Sequence, residues 1–282
     1  MPKVWVTGAG GLIGNYLVKT APHFAPGWEV LPLTRQLVDL TDNSAVRTLF
    51  QRAVPDLVIH CAGLTQTGPC QQQPALAHQM NVHVTEFLCE LGSNIRLFFF
   101  STDLVFDGVK GNYIETDPIR PLLTYAQTKA EAETIVLENP RHSVIRTALN
   151  GGVSPKGNRG FNEELRRSWE SGKTTALFVD EYRCPIPAAV TARTIWELAE
   201  QDVPGLYHLG GRERLSRWEI GCLLAKRWPH VQARLEQDSI RNFKGLPRSP
   251  DVSMDSSKIQ RLLSFPIPAF SEWLEQNPDE PF

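Results

Sequence analysis

Lys3-Val4-Trp5-Val6-Thr7-Gly8-Ala9-Gly10-Gly11-Leu12-Ile13-Gly14-Asn15-Tyr16-Leu17-Val18-Lys19 decides the fold. A β-rich run enters three glycines spaced by three, and residues with helical apolar spacing follow, so the stretch reads strand, tight turn, helix. Gly8 permits the turn, Gly11 lets the backbone approach a pyrophosphate, and Gly14 lets the helix pack closely on the sheet. Phosphates would meet the free N–H groups and positive dipole end of that helix. Gly8, Gly11, Leu12, Ile13 and Gly14 are therefore cofactor-binding candidates. The Gly-x-x-Gly-x-x-Gly spacing differs from Gly-x-Gly-x-x-Gly, although Gly8 and Gly10 also begin the shorter pattern. The competing reading is a glycine-rich turn with no ligand.

Working outward, Trp28–Leu33 reads as a second strand that ends at Thr34-Arg35. An acid here would accept from adenosine ribose hydroxyls, whereas a hydroxyl and a guanidinium suit a 2′-phosphate. NADP(H) is accordingly expected over NAD(H). Asp39 and Leu40 are placed to flank an adenine, and Asp42 or Asn43 to cap a helix from Ser44 to about Ala53. The next strand, Asp56–Gly63, ends in small residues, Cys61-Ala62-Gly63, which leave room for a cofactor. A glutamine-rich loop from Gln66 to Gln73 leads to a long helix, Ala75–Leu91, with Asn81 inside it against propensity. The apolar run Arg96–Phe100 is a central strand. It delivers Ser101-Thr102-Asp103 to the C-terminal sheet edge, where ligands of open α/β sheets sit. His142–Thr147 supplies a further strand. Repeated strand–turn–helix order predicts an α/β fold, a Rossmann-type doubly wound parallel sheet.

Tyr125 and Lys129 lie four residues apart in a segment free of Gly and internal Pro, so a helix presents both on one face. An ammonium near a phenol favours the phenolate and brings its pKa from ~10 toward the working range. Tyr125 would then exchange a proton with a substrate oxygen, and the Thr102 hydroxyl would help polarise a carbonyl. A core aromatic beside a solvated lysine is the plainer reading of that pair alone.

After about Ala148 the pattern loosens. Residues 1–148 read as an NADP-binding Rossmann domain, segments at about 175–211 return to it, and 149–282 form mainly a smaller C-terminal substrate-binding lobe. Short helices are expected near Phe161–Ser171, at Ala188–Gln201, at Trp218–Trp228 and in the tail, which shows no regular sheet.

Composition narrows the function classes. With 29 Lys+Arg against 31 Asp+Glu in 282 residues and 41% hydrophobic residues, nothing points to nucleic acid or a membrane. A cytoplasmic protein with a small-molecule substrate is expected. Five cysteines without a C-x-x-C or a metal-like cluster with histidine imply reduced thiols and no metal.

Thr7-Gly8-x-x-Gly11-x-x-Gly14, Ser101-Thr102-Asp103-x-Val105-Phe106-Asp107-Gly108 and Tyr125-x-x-x-Lys129 together resemble the extended short-chain dehydrogenase/reductases. The chain looks more closely like the dTDP-4-dehydrorhamnose reductase (RmlD-like) sugar-nucleotide family, including Arg146-Thr147, Glu181-Tyr182-Arg183-Cys184-Pro185 and Arg248-Ser249-Pro250. The resemblance implies NADPH-dependent reduction of a keto group on a nucleotide sugar, with a homodimer as the assembly to expect. Tyr125 would be the general acid, Lys129 would bond the nicotinamide ribose and lower the Tyr125 pKa, and Thr102 would orient the carbonyl. Asn81 would support a proton relay through water, and Thr65, Asp103, Val105, Phe106 and Arg248 would face the substrate. Leu104, where the family often has tyrosine, the Gln66–Gln73 stretch and Leu149-Asn150-Gly151 depart from its pattern on the substrate side. Two alternatives stand beside the reductase: a non-catalytic NADP-binding regulatory subunit resembling that of methionine adenosyltransferase, and an epimerase of the same superfamily.

Overall fold

A computed structural model describes residues 1–282. Five strands, β1 (Lys3–Thr7), β2 (Glu29–Leu33), β3 (Leu57–His60), β4 (Arg96–Thr102) and β5 (Ser143–Thr147), join the Gly205–Leu209 strand in one sheet. The order is Gly205–Leu209, β5, β4, β3, β1, β2, and every pairing is parallel. Side chains on each strand alternate between two dry faces, as a sheet covered on both sides requires. Val4, Val6, Leu57, Ile59, Phe98, Phe100 and Ile145 enter one cluster, with Leu17 of helix α1 (Leu12–Phe24) and Ile195 and Trp196 of the Ala188–Ala199 helix. Trp5, Val58, Leu97, Phe99 and Val144 enter the other, with Val46, Phe87 and Val136 from helices at Asn43–Arg52, Val84–Leu91 and Thr124–Leu137. Each such side chain contributes about 1.5–3 kcal/mol on burial, and a charge placed among them would go unpaired in a dry interior.

The chain leaves β1 toward β2 on one side and returns with β3 on the other, so the strand order reverses between β1 and β3. That reversal opens a crevice at the C-terminal sheet edge. The two loops bordering it touch: a Cβ at Gly8 would stand 2.7 Å from the Ala62 nitrogen.

Three elements differ from the sequence expectation. The long helix at Ala75–Leu91 is broken into Pro74–His78, a π turn at Gln79–His83 and Val84–Leu91. The Gln66–Gln73 loop contains a short helix, Thr67–Gln72. In the tail, Arg234–Asp238, whose single apolar residue, Leu235, gives no readable alternation, pairs in parallel with Thr174–Phe178. That pair stands outside the main sheet. Helices at Phe161–Glu170, Arg217–Arg227 and Phe270–Gln276 follow in the second half, where Phe161, Leu165, Ile220, Leu224 and Phe270 join the cluster on the α1 side of the sheet.

Candidate active site

The glycine turn is shaped by close contacts. Gly8 has φ +66, and a Cβ on Gly14 would run into the Gly8 carbonyl, so neither position admits a side chain without a shift. Gly11 caps α1 with no side-chain hydrogen bond, and the first turn holds no acid. The amide end of that helix is thus free of internal carboxylates, and this cradle fits a pyrophosphate. Leu12 is buried and Ile13 half-buried behind it. At the end of β2, Arg35 is exposed and pairs with Asp39 at 3.6 Å. Asp39 Oδ1 accepts from Thr41 N and Oγ1 at 3.0 and 2.8 Å, which holds its carboxyl below the usual range. Thr34 and Leu40 flank them, half-buried.

Behind Cys61, Ala62 and Gly63 runs a hydrogen-bonded chain that the sequence does not announce. Ala62 N–H donates to Thr7 Oγ1 at 3.1 Å, Thr7 Oγ1 meets His60 Nδ1 at 2.7 Å, and His60 Nε2 meets Thr85 Oγ1 at 3.1 Å. Thr85 donates to the Asn81 carbonyl at 2.7 Å. One proton arrangement satisfies all four contacts: Thr7 donates to Nδ1, and Nε2–H donates to Thr85. His60 is therefore neutral, its pKa lowered to about 3 by burial and then by the Lys129 charge.

The π turn explains Asn81. Its Oδ1 accepts from Leu64 N at 2.7 Å, and its Nδ2 donates to Leu64 O at 3.0 Å and to Thr128 Oγ1 at 2.9 Å. The side chain pairs with the loop after β3 as a strand would, and ties it to the Thr124–Leu137 helix. An extra residue in one helical turn aims that amide inward; π turns of this kind recur at functional sites.

Thr102, Tyr125 and Lys129 gather at the end of β4. The Thr102 hydroxyl accepts from Leu104 N at 3.2 Å and donates to Asp103 Oδ1 at 3.2 Å, and it stands near enough to act on the Tyr125 phenol. Burial raises the Tyr125 pKa above its ordinary value; the Thr102 contact lowers it, while Asp103 and Cys70 raise it. Lys129, one helical turn on, is buried with its Nζ 3.8 Å from the Phe99 ring centroid. Burial lowers its pKa to about 7, against the opposing charges of Glu133 and Cys61.

Continuing the four-residue step from Tyr125 through Lys129 reaches Glu133, a residue that sequence reasoning missed and that spacing would have found. Glu133 accepts from Arg146 Nη2 at 2.7 Å and Nε at 3.0 Å, and from the Ser101 hydroxyl. Both charged side chains are at most 5% exposed.

On the expected substrate side the placements diverge. Thr65 is exposed and Asp103 buried. Val105 and Phe106 are fully buried, with Phe106 stacked on Tyr113 at 4.0 Å, so they pack the loop's interior and do not line a ligand surface. Arg248 pairs with Glu181 beside a cavity of about 210 Å³ lined by Thr67, Leu104, Leu123, Arg183 and Phe243. Arg183 on its wall and Glu181 beside it carried no role in the sequence reading.

A parallel sheet with a β1/β3 switch point, a glycine cradle and a Thr102–Tyr125–Lys129 edge defines an extended short-chain dehydrogenase/reductase fold. The RmlD substrate binding domain family model matches residues 2–280, and the chain belongs to that family. Methionine adenosyltransferase 2 subunit beta of Xenopus laevis is 26% identical over 276 residues, covering 92% of this chain and 82% of that protein. dTDP-4-dehydrorhamnose reductase of Aggregatibacter actinomycetemcomitans is 29% identical over 234 residues, covering 79% and 78%. The crystal structure of dTDP-4-dehydrorhamnose reductase from Bacillus anthracis in complex with NADP superposes with a TM-score of 0.89 at 22% identity, covering 98% of each chain.

Proposed function

We propose that the protein reduces a keto group on a nucleotide-linked sugar with NADPH, in the manner of a dTDP-4-dehydrorhamnose reductase. The observation that carries this reading is Thr102 and Tyr125 brought side by side at the C-terminal sheet edge, two strands from the glycine cradle. When bound, the nicotinamide supplies the hydride. Tyr125 supplies the proton: a phenol raised by burial stays protonated at neutral pH, the state a donor to a nascent alkoxide needs. Thr102 would turn its one O–H from Asp103 Oδ1 to the carbonyl, joining Tyr125 as a donor where charge develops. Lys129, near its own titration point at neutral pH, would bond the nicotinamide ribose and pass a proton toward Tyr125, with Asn81 fixing the loop and the Thr128 turn alongside. Arg35 and Thr34 favour the 2′-phosphate of NADPH.

The test follows NADPH oxidation with dTDP-4-keto-6-deoxy sugar and a panel of keto-sugar nucleotides. Tyr125→Phe should lower turnover about 10³-fold while still binding NADPH; an undiminished rate in the variant would remove the proton-donor role. The relatives matched over 92% of the chain support a second reading, a non-catalytic NADP-binding regulatory subunit. Tight NADPH binding with no turnover on any sugar would favour it. Interconversion of sugars without net NADPH consumption would favour an epimerase.

A further inference from the structure

Two adjacent glycines just beyond β5 are pressed between two aromatic rings that come from far apart in the sequence. The segment that holds them leaves β5 at Thr147, the register partner of Thr102 on β4. It then reaches α1, where Val153 N–H donates to the Tyr16 hydroxyl at 3.1 Å and Val153 O accepts from Asn15 Nδ2 at 3.5 Å. Residues 147–153 therefore run from the catalytic edge to the helix that follows the glycine cradle. A dinucleotide with its phosphates on that cradle and its nicotinamide at Thr102 and Tyr125 has to pass along them.

Gly151 and Gly152 are glycines for a steric reason. A Cβ on Gly151 would run into the Phe282 ring, and one on Gly152 would stand 2.8 Å from the Tyr16 ring and hydroxyl. Gly152 also has φ +152, a conformation that side chains rarely adopt. Two glycines in a row are the most freely moving backbone a chain can offer, so this stretch stays put only through what is packed onto it. Phe282 is 5% exposed and rests against Phe270 and Trp273, with ring centroids 5.6 and 5.4 Å away. Its place is fixed from further off. Arg227 donates to the carbonyls of Leu274, Asn277 and Glu280 at 3.1, 2.7 and 2.8 Å, and the Tyr16 hydroxyl donates to Pro281 O at 3.3 Å.

We propose that Phe282 and Tyr16 form a clamp that sets where residues 150–153 stand, and through them how the nicotinamide half of the cofactor is seated. Both are positioning residues, acting through the Gly151–Gly152 backbone. The inference rests on the nicotinamide-cofactor part of the reading above and is independent of the sugar. A wall held in place before the ligand arrives spares binding the cost of ordering it. The adenosine half would be met at Thr34, Arg35 and the glycine turn, which none of these contacts reaches.

Calorimetric titration with NADPH and with 2′-phospho-ADP-ribose, which has no nicotinamide, separates the two halves without any turnover; NADH and ADP-ribose form a parallel pair. Phe282→Ala should weaken NADPH about tenfold and Tyr16→Phe about threefold, while the nicotinamide-free ligand changes by less than about twofold. Phe282→Leu, which keeps an apolar side chain on Gly151, should restore most of the NADPH affinity. Amide hydrogen exchange in residues 149–153 should speed up in ligand-free Phe282→Ala. Should that variant melt too early to titrate, Arg227→Gln, which frees the tail from the far side, should reproduce the selective loss. Equal weakening of both ligands, no change in either, or a wild type that binds neither overturns the clamp. The selective loss with no keto-sugar nucleotide reduced keeps the clamp and removes the reductase reading. Reduction of such a sugar with NADPH affinity indifferent to Phe282 and Arg227 does the reverse.

Discussion

Two charge networks flank the catalytic pair, and they are built to opposite rules. Behind it, Glu133 is matched one to one with Arg146, both at most 5% exposed, and Ser101 satisfies a further lone pair. In front of it, Glu181 shares its two oxygens between Arg183 and Arg248. A balanced buried pair joins β4, β5 and the Tyr125 helix into one frame; the shared one ties the 181–183 segment to Arg248 beside a cavity. The contrast teaches that counting ion pairs says less than asking which of them close.

Removing one half of the closed network should have the largest effect. Glu133→Ala leaves Arg146 buried without its carboxylate and should cost about 3–5 kcal/mol in urea unfolding. A loss below about 1 kcal/mol would erase the distinction between frame and open site. Lys129→Met should change stability the other way. The folded-state pKa of about 7 lies below the unfolded value, so the unfolded chain binds more protons between roughly pH 7 and 10.5 and stability rises with pH across that window. Methionine over the Phe99 ring removes the penalty, and we expect a gain of ~2–4 kcal/mol at pH 7 that fades by pH 10. Unchanged or lower stability at neutral pH would mean that Lys129 is stably charged where it lies. The smallest effect on folding belongs to Arg35→Ala, whose side chain is 84% exposed. Its melting temperature should hold while NADPH affinity falls about tenfold or more and NADH affinity stays level. Equal losses for both cofactors would remove the 2′-phosphate assignment.

How much of this was legible depended on the physical range of each signal. β1, the glycine turn and α1 are local patterns, so Lys3 to Lys19 was readable as it stands. The apolar runs ending at His60 and Thr102 placed the central strands, because a strand dry on both faces is apolar except where a polar side chain finds a buried partner. Arg234–Asp238 was hidden for the same reason reversed: an edge strand in solvent needs no apolar face. The Tyr125 and Lys129 spacing was visible, but not the direction in which Lys129 points, which Phe99 and Cys61 set from other strands. The phenol's surroundings could not be read from a helix alone. His60 closes a buried strand, and only the fold supplies Thr7 and Thr85 on its two sides.

The π turn at Gln79–His83 also constrains how the chain can vary in length. Taking one residue out of that turn would let the flanking helices run on as a single straight rod, a local gain in regularity. The same deletion would swing Asn81 around the axis and pull its amide away from both backbone atoms of Leu64. Family members that keep the crevice wall should therefore tolerate substitutions across this helix far more readily than a single gap within it.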